Sequence, residues 1–174
     1  MRIAKPRLLG VPTTWGRLFL GAGFLVLTLI AMYAVFNTRW QFYIPRLAVQ
    51  CLSWNFGVVD KWDTDVEVGK PYAFYARHMG LHPDGEKIAK IFAADAFDVI
   101  EIDRDENVRV NGQVQAHGLQ LAAQLGHQRS DFMGRGVLEP GEFFGLGTTW
   151  NSFDSRYWGA IHESQVFGRL YLLF

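Results

Sequence analysis

Apolar and polar positions alternate on two different scales along this chain. Residues 18–36, LFLGAGFLVLTLIAMYAVF, form one uncharged apolar run, about the length that crosses a hydrocarbon core roughly 30 Å thick. A cleaved secretory signal has a shorter apolar region and a small-residue cleavage pattern, whereas this run passes into Asn37, Thr38, Arg39 and Trp40. A retained transmembrane helix is therefore expected, with Trp40 suited to the membrane interface. Beyond it the apolar runs are short and alternating, at 56–59, 72–75, 88–92, 97–102, 108–110, 143–146 and 166–173, separated by Asp, Gly, Asn and Pro. That pattern predicts β-strands joined by turns. Within residues 105–112, DENVRVNG, the Asn-Gly pair is the strongest hairpin signal in the chain. Residues 118–126, GLQLAAQLG, place helix formers between two glycines and predict a short helix inserted among the strands.

The flanks of the apolar run carry Arg2, Lys5, Arg7 and Arg17 before it, and Arg39 and Arg46 after it. The positive-inside rule then expects residues 1–17 in the cytoplasm, 18–36 in the membrane, and 37–174 on the far side, which in a bacterium is the periplasm. No repeat, low-complexity tract or linker divides 37–174, so one domain is expected there.

Composition narrows the chemistry. With 17 basic and 17 acidic residues in 174, the formal net charge is zero, and there is no basic field to hold nucleic acid. The single cysteine, Cys51, rules out a disulfide within the chain and a cysteine-rich zinc site. The high glycine and phenylalanine content, 18 and 14 residues, suits a turn-rich β protein.

Near the C-terminus stand Ser152, Asp154, Ser155 and Arg156, then Tyr157-Trp158-Gly159, then Val166-Phe167-Gly168-Arg169. Several uncommon residue types in fixed order make this a specific pattern. It resembles the last conserved box of the bacterial type I signal peptidases, and the compact layout looks most like their small conjugative-transfer branch, the TraF-type peptidases. The resemblance covers most of 51–174. It implies an all-β signal-peptidase-like catalytic domain with a small α insertion behind one N-terminal transmembrane helix, and a serine nucleophile with a lysine base. It implies no cofactor and no metal. The implied substrate is a pilin precursor or another exported protein, handled at the inner membrane beside components of a conjugative pilus or type IV secretion system.

The same resemblance puts Lys90, which leads through Asp95-Ala96-Phe97-Asp98 to Val110-Asn111-Gly112, on the family's catalytic lysine. A lysine serves as base only when desolvation brings its pKa down from about 10.4, and Ala89, Ile91 and Phe92 are suitable neighbours. Read without the resemblance, Lys90 is an ordinary edge-strand lysine with its head in water. Ser152 is implied to orient the lysine amine, and Asp154 with Arg156 to form a structural brace. The nucleophile stays open. In Gln50-Cys51-Leu52-Ser53-Trp54, Cys51 takes the serine position if register is kept, and Ser53 takes it after a two-residue slip. A Cys-base pair and a Ser-Lys pair are both workable chemistry, and a buried, inert Cys51 is the bland reading. The family's Leu-Pro-Gly-Asp turn is replaced by Asp95-Ala96-Phe97-Asp98 and its Gly-Asp-Asn by Gly147-Thr148-Thr149. A changed loop at Phe97 is expected, and a non-catalytic descendant acting as a binding or assembly subunit is the alternative function.

Other motifs point to bland roles. His78 and His82 flank Gly80 and precede Pro83, so they are expected as surface loop histidines rather than metal ligands. The acidic groups Asp60, Asp63, Asp65 and Glu67, and Asp103, Asp105 and Glu106, read as solvated turns. Residues 145–149 lack the lysine of a phosphate loop.

Overall fold

A computed structural model describes residues 7–8, 11–12, 14–45, 51–53 and 56–173. Arg2, Lys5 and Arg46, which enter the orientation argument, and Gln50 and Trp54, which flank the nucleophile candidates, lie outside the described residues. The chain divides into two compact units, Met1–Arg39 and Trp40–Phe174. The first holds a two-stranded ladder, β1 (Arg7–Leu8) and β2 (Val11–Pro12), and the helix α1 (Trp15–Arg39). At 1.5 Å per residue the 25 residues of α1 reach about 37 Å, and an 18-residue stretch within it has a mean hydropathy of 2.3, so it is long and apolar enough to cross a membrane. The hydroxyls of Thr28 and Thr38 donate back to the carbonyls of Phe24 and Val35, so neither needs water in an apolar setting.

The second unit is built of β3 (Trp40–Tyr43), β4 (Gly57–Asp60), β5 (Pro71–Tyr75), β6 (Lys87–Ala94), β7 (Val99–Ile102), β8 (Asn107–Val110), β9 (Gln113–His117), β10 (Gly134–Val137), β11 (Glu142–Leu146), β12 (Ile161–His162) and β13 (Val166–Leu172), with one helical turn, α2 (Ser155–Trp158). Seven strands pair in the order β12-β11-β6-β5-β13-β4-β3 and four in the order β10-β7-β8-β9. Neighbours in both sheets run antiparallel. The larger sheet coils back on itself: Gln41 on its edge strand β3 accepts a hydrogen bond from Lys87 of β6 at 2.8 Å, although β4, β13 and β5 lie between them in the order. Such closure follows from strand twist accumulated over a long antiparallel sheet.

Strand periodicity decides where β6 points its side chains. Ala89 and Ile91 pack with Leu52, Val59, Ala73 and Leu170 on one face. Ile88 and Phe92 pack with Tyr72, Phe74, Met79 and Ile161 on the other. Lys90 lies between Ile88 and Phe92 on that second face, opposite Tyr72 in register, in a position the pattern reserves for an apolar residue. A third cluster, including Ile100, Val108, Leu138, Phe144 and Leu146, joins the four-stranded sheet to β11.

Several local expectations change. Residues 118–126 form a 3-10 turn at Ala123–Leu125 rather than an α-helix. Gly126 stops it in the left-handed conformation at φ 77, and a segment this short cannot offset the cost of helix nucleation. Strands β1, β2, β3, β10 and β12 add to the expected set. β10 reads GRGV, with two glycines that hide its strand character, and is held by pairing with β7. The Asn111-Gly112 pair forms the expected two-residue hairpin between β8 and β9, with φ of 50 and 82. The backbone at Phe97 is left-handed, with φ 70 on a side chain that is 73% exposed. Its N–H donates to the Leu138 carbonyl at 2.9 Å and Asp98 N–H to the Asp95 carbonyl at 3.2 Å. Those bonds hold the left-handed backbone without glycine.

Candidate active site

Four segments converge on the buried lysine of β6. Lys90 is 1% exposed, and its Nζ donates to Ser152 Oγ at 3.1 Å. Burial lowers its pKa from the ordinary lysine value, while Cys51, which is in hydrogen-bonding contact with the amine, and Asp154 favour the charged form, and Arg156 opposes it. The Trp158 ring centre is 5.6 Å from Nζ. The edge-strand reading of Lys90, with its head in water, does not hold.

Cys51 is 8% exposed and its Sγ donates to the Phe153 carbonyl at 3.7 Å. Ser53 is exposed and turned elsewhere: its Oγ shares a 3.0 Å hydrogen bond with Thr148 Oγ1, which also accepts from Ser53 N–H at 2.9 Å. Thr148 N–H in turn donates to the Cys51 carbonyl at 2.8 Å. Thr148, one of the two threonines that follow Gly147, thus clamps the segment 51–53 from both ends. Sequence reasoning did not assign it that part. Gly147 beside it is required by space, since a Cβ there would collide with Ser152 Oγ and the Cys51 carbonyl oxygen.

Behind Ser152 lies the brace. Arg156 donates from Nε to Asp154 Oδ1 at 2.8 Å and from Nη2 to Oδ2 at 2.9 Å, a bidentate pair with both side chains buried. Arg156 also donates to the carbonyls of Gly118 at 2.7 Å and Ser152 at 3.2 Å, while Asp154 accepts from Gly147 N–H at 3.0 Å. One ion pair therefore fixes the Ser152 backbone, the Gly147 turn and the segment after β9.

A cavity of about 570 Å³ opens onto this group, lined in part by Cys51, Lys90, Tyr43, Leu52 and Ala89. Ser53 is not among its lining residues. His82 is, and its side chain is only 10% exposed, so it is not the surface histidine expected. Its Nδ1 lies 3.0 Å from Glu86 Oε2, and its ring packs against Phe153 and Trp158. The cue available in sequence was the aromatic set Phe153, Tyr157 and Trp158, which supplies an apolar bed for the ring. His78, by contrast, has an 85% exposed side chain. Among the acidic groups read as solvated, Asp60 is 1% exposed, accepting from Trp62 N–H at 3.1 Å. Asp103 does sit in a turn, where hydrogen bonds from Asn107 first, and from Arg109 and Asp105, hold its pKa down at about 2. Among the described residues, no group of three or more His, Cys, Asp or Glu side chains is arranged to hold a metal ion.

The model of the signal peptidase, peptidase S26, family matches residues 22–174. A signal peptidase I of Enterococcus faecalis V583 is a similar solved structure, with 20% identity and a TM-score of 0.40 over 63% of this chain and 97% of that one. No curated protein matches. A match running from within α1 to the last residue shows that this mostly β chain belongs to the signal peptidase family, peptidase S26, a family of serine peptidases.

Proposed function

We propose that the chain is a membrane-anchored endopeptidase that removes the leader of an exported precursor, with Cys51 as nucleophile and Lys90 as general base. The observation that carries this reading is the desolvated Lys90 amine, held by Ser152 and flanked by the Cys51 thiol, while Ser53 is engaged by Thr148. Cys51 Sγ attacks the scissile carbonyl carbon as its proton passes to Lys90 Nζ. The tetrahedral intermediate then collapses, Lys90 returns the proton to the leaving amine, and a thioester to the leader remains. Water, deprotonated by Lys90, hydrolyses the thioester and frees Cys51. Backbone N–H groups near the nucleophile stabilise the oxyanion. The precursor adds as a strand along the cavity, with small side chains near the cut entering shallow pockets.

The cationic N-terminal flank supports a cytoplasmic N-terminus and a periplasmic catalytic domain at a bacterial inner membrane. The compact layout, resembling TraF-type peptidases, supports a pilin precursor of a conjugation or type IV secretion apparatus as substrate. The test is co-expression of the cognate pilin precursor with wild type, Lys90→Ala, Cys51→Ala and Ser53→Ala, read by intact mass. Processing is expected in wild type and Ser53→Ala and lost in Lys90→Ala and Cys51→Ala. A precursor that stays uncut by wild type yet co-purifies with it refutes the peptidase and leaves a binding subunit.

A further inference from the structure

Among the described residues, the stretch of β6 beside the site has one edge that no strand pairs with. Phe92 donates to the Lys70 carbonyl at 3.0 Å and accepts from Gly69 at 2.7 Å, toward the β5 side. By the two-residue period of an antiparallel ladder, Lys90 and Ile88 also turn their backbone groups toward β5, while Ala89 and Lys87 turn theirs away. On that far side β11 pairs with β6 only from Ile91 onward. Among the described residues, no strand covers Lys87 or Ala89 there, and both line the cavity.

Two side chains of β3 reach across this gap. Gln41 and Tyr43 stand two apart and so project from the same face of their strand. Gln41 Oε1 accepts from Lys87 Nζ at 2.8 Å. The Tyr43 hydroxyl lies against the backbone N–H of Ala89, and its ring packs on the cluster that includes Leu52 and Ala89. Burial first, then the nearby Cys51 and Glu86, push the Tyr43 pKa up to about 12, so the group facing Ala89 is a neutral phenol throughout the working range. Lys87 is held further by the Phe167 ring, 3.9 Å from its Nζ.

We propose that Gln41 and Tyr43 form a latch across the slot between β3 and β6, and that an incoming peptide strand must displace it to pair with Lys87 and Ala89. The inference rests on strand addition at this site, as proposed above. The latch gives the resting protein a closed form, and the apparent substrate affinity is the intrinsic affinity multiplied by the fraction of molecules in which the slot is open. It also shields the thiol, because Tyr43 and Cys51 line the same cavity.

With a single cysteine in the chain, the latch is read directly by the rate at which iodoacetamide alkylates Cys51 in the full-length protein in detergent. Tyr43→Phe removes only the hydroxyl and Gln41→Leu only the tie to Lys87. Each is expected to raise the alkylation rate about 3- to 10-fold, the range for loss of one hydrogen bond. Unchanged or slower labelling in both variants overturns the latch. Labelling needs no cleavage, so faster labelling of a protein that cuts nothing would sustain the latch while removing the peptidase reading. With a cleavable leader peptide, KM is expected to fall in both variants at constant kcat. A rise in KM overturns the proposal, since Tyr43 would then be a substrate contact.

Discussion

Replacing Asp154 by Asn tests whether one buried ion pair holds the site together. The substitution keeps the shape of the side chain and removes its charge. It leaves the Arg156 guanidinium, whose side chain is 3% exposed, without its anion and with one of its two Asp154 contacts facing an amide. Leaving one partner of a buried pair uncompensated costs about 3–5 kcal/mol, in keeping with about 4 kcal/mol for unit charges 4 Å apart at an effective dielectric of 20. For a chain of this size such a loss lowers Tm by roughly 10 °C. The assay is thermal unfolding of the full chain in detergent, followed by tryptophan fluorescence. The double variant Asp154→Asn with Arg156→Met is expected to regain most of the loss, because removing both charges removes the desolvation cost as well. A Tm for Asp154→Asn within about 2 °C of wild type would refute the reasoning, as would a double variant less stable than the single one by a further full step.

Other outcomes follow from the same geometry. Lys90→Met is expected to abolish cleavage yet stabilise the fold by about 0.5–2 kcal/mol at neutral pH, read by the same melts, because the site holds a desolvated amine for function rather than stability. Since burial lowers the folded-state pKa of Lys90, the unfolded chain binds more protons between that value and about 10.4. Wild-type stability therefore rises with pH across this window and the advantage of Lys90→Met shrinks, so a gain that grows with pH contradicts the assignment. Gly147→Ala drives a methyl into Ser152 and the Cys51 carbonyl. It should cost about 1–3 kcal/mol and slow Cys51 alkylation or cleavage beyond what stability explains, and a fully active variant would show that the turn is not tight. Phe97→Gly relieves a left-handed φ of 70 and is expected to gain up to about 1 kcal/mol, strain relief outweighing the added chain entropy; a loss of similar size would contradict this.

The larger part of the β architecture was legible because short alternating runs and turn residues mark strands regardless of tertiary context. The apolar run of α1 and the Asn111-Gly112 hairpin were legible for the same local reason. The four-stranded sheet was less so, since β10 carries two glycines in GRGV and gains its conformation from β7. Lys90 and its partner Ser152, 62 positions away, were both reached through the resemblance, since a lysine in KIAKIFAA read alone looks like an ordinary edge-strand lysine. Spacing left Cys51 and Ser53 open, and the proposal of Cys51 draws on a contact spacing does not show: Ser53 is hydrogen-bonded to Thr148, nearly a hundred positions on. Burial of His82 and Asp60 escaped for a related reason: polar residues in turn-like sequence look solvated until aromatic rings or strand crossings cover them. At Phe97 the left-handed backbone was not legible, because hydrogen bonds to Leu138 and within 95–98, and not a glycine, hold it.

The most direct test of the central claim is the intact mass of the full-length protein, acid-quenched within the first turnover of a leader-bearing precursor. A transient adduct of leader mass is expected on Cys51, released by hydroxylamine as a thioester is, and absent from Lys90→Ala. An adduct on Ser53, or turnover that persists in Cys51→Ala, would contradict it.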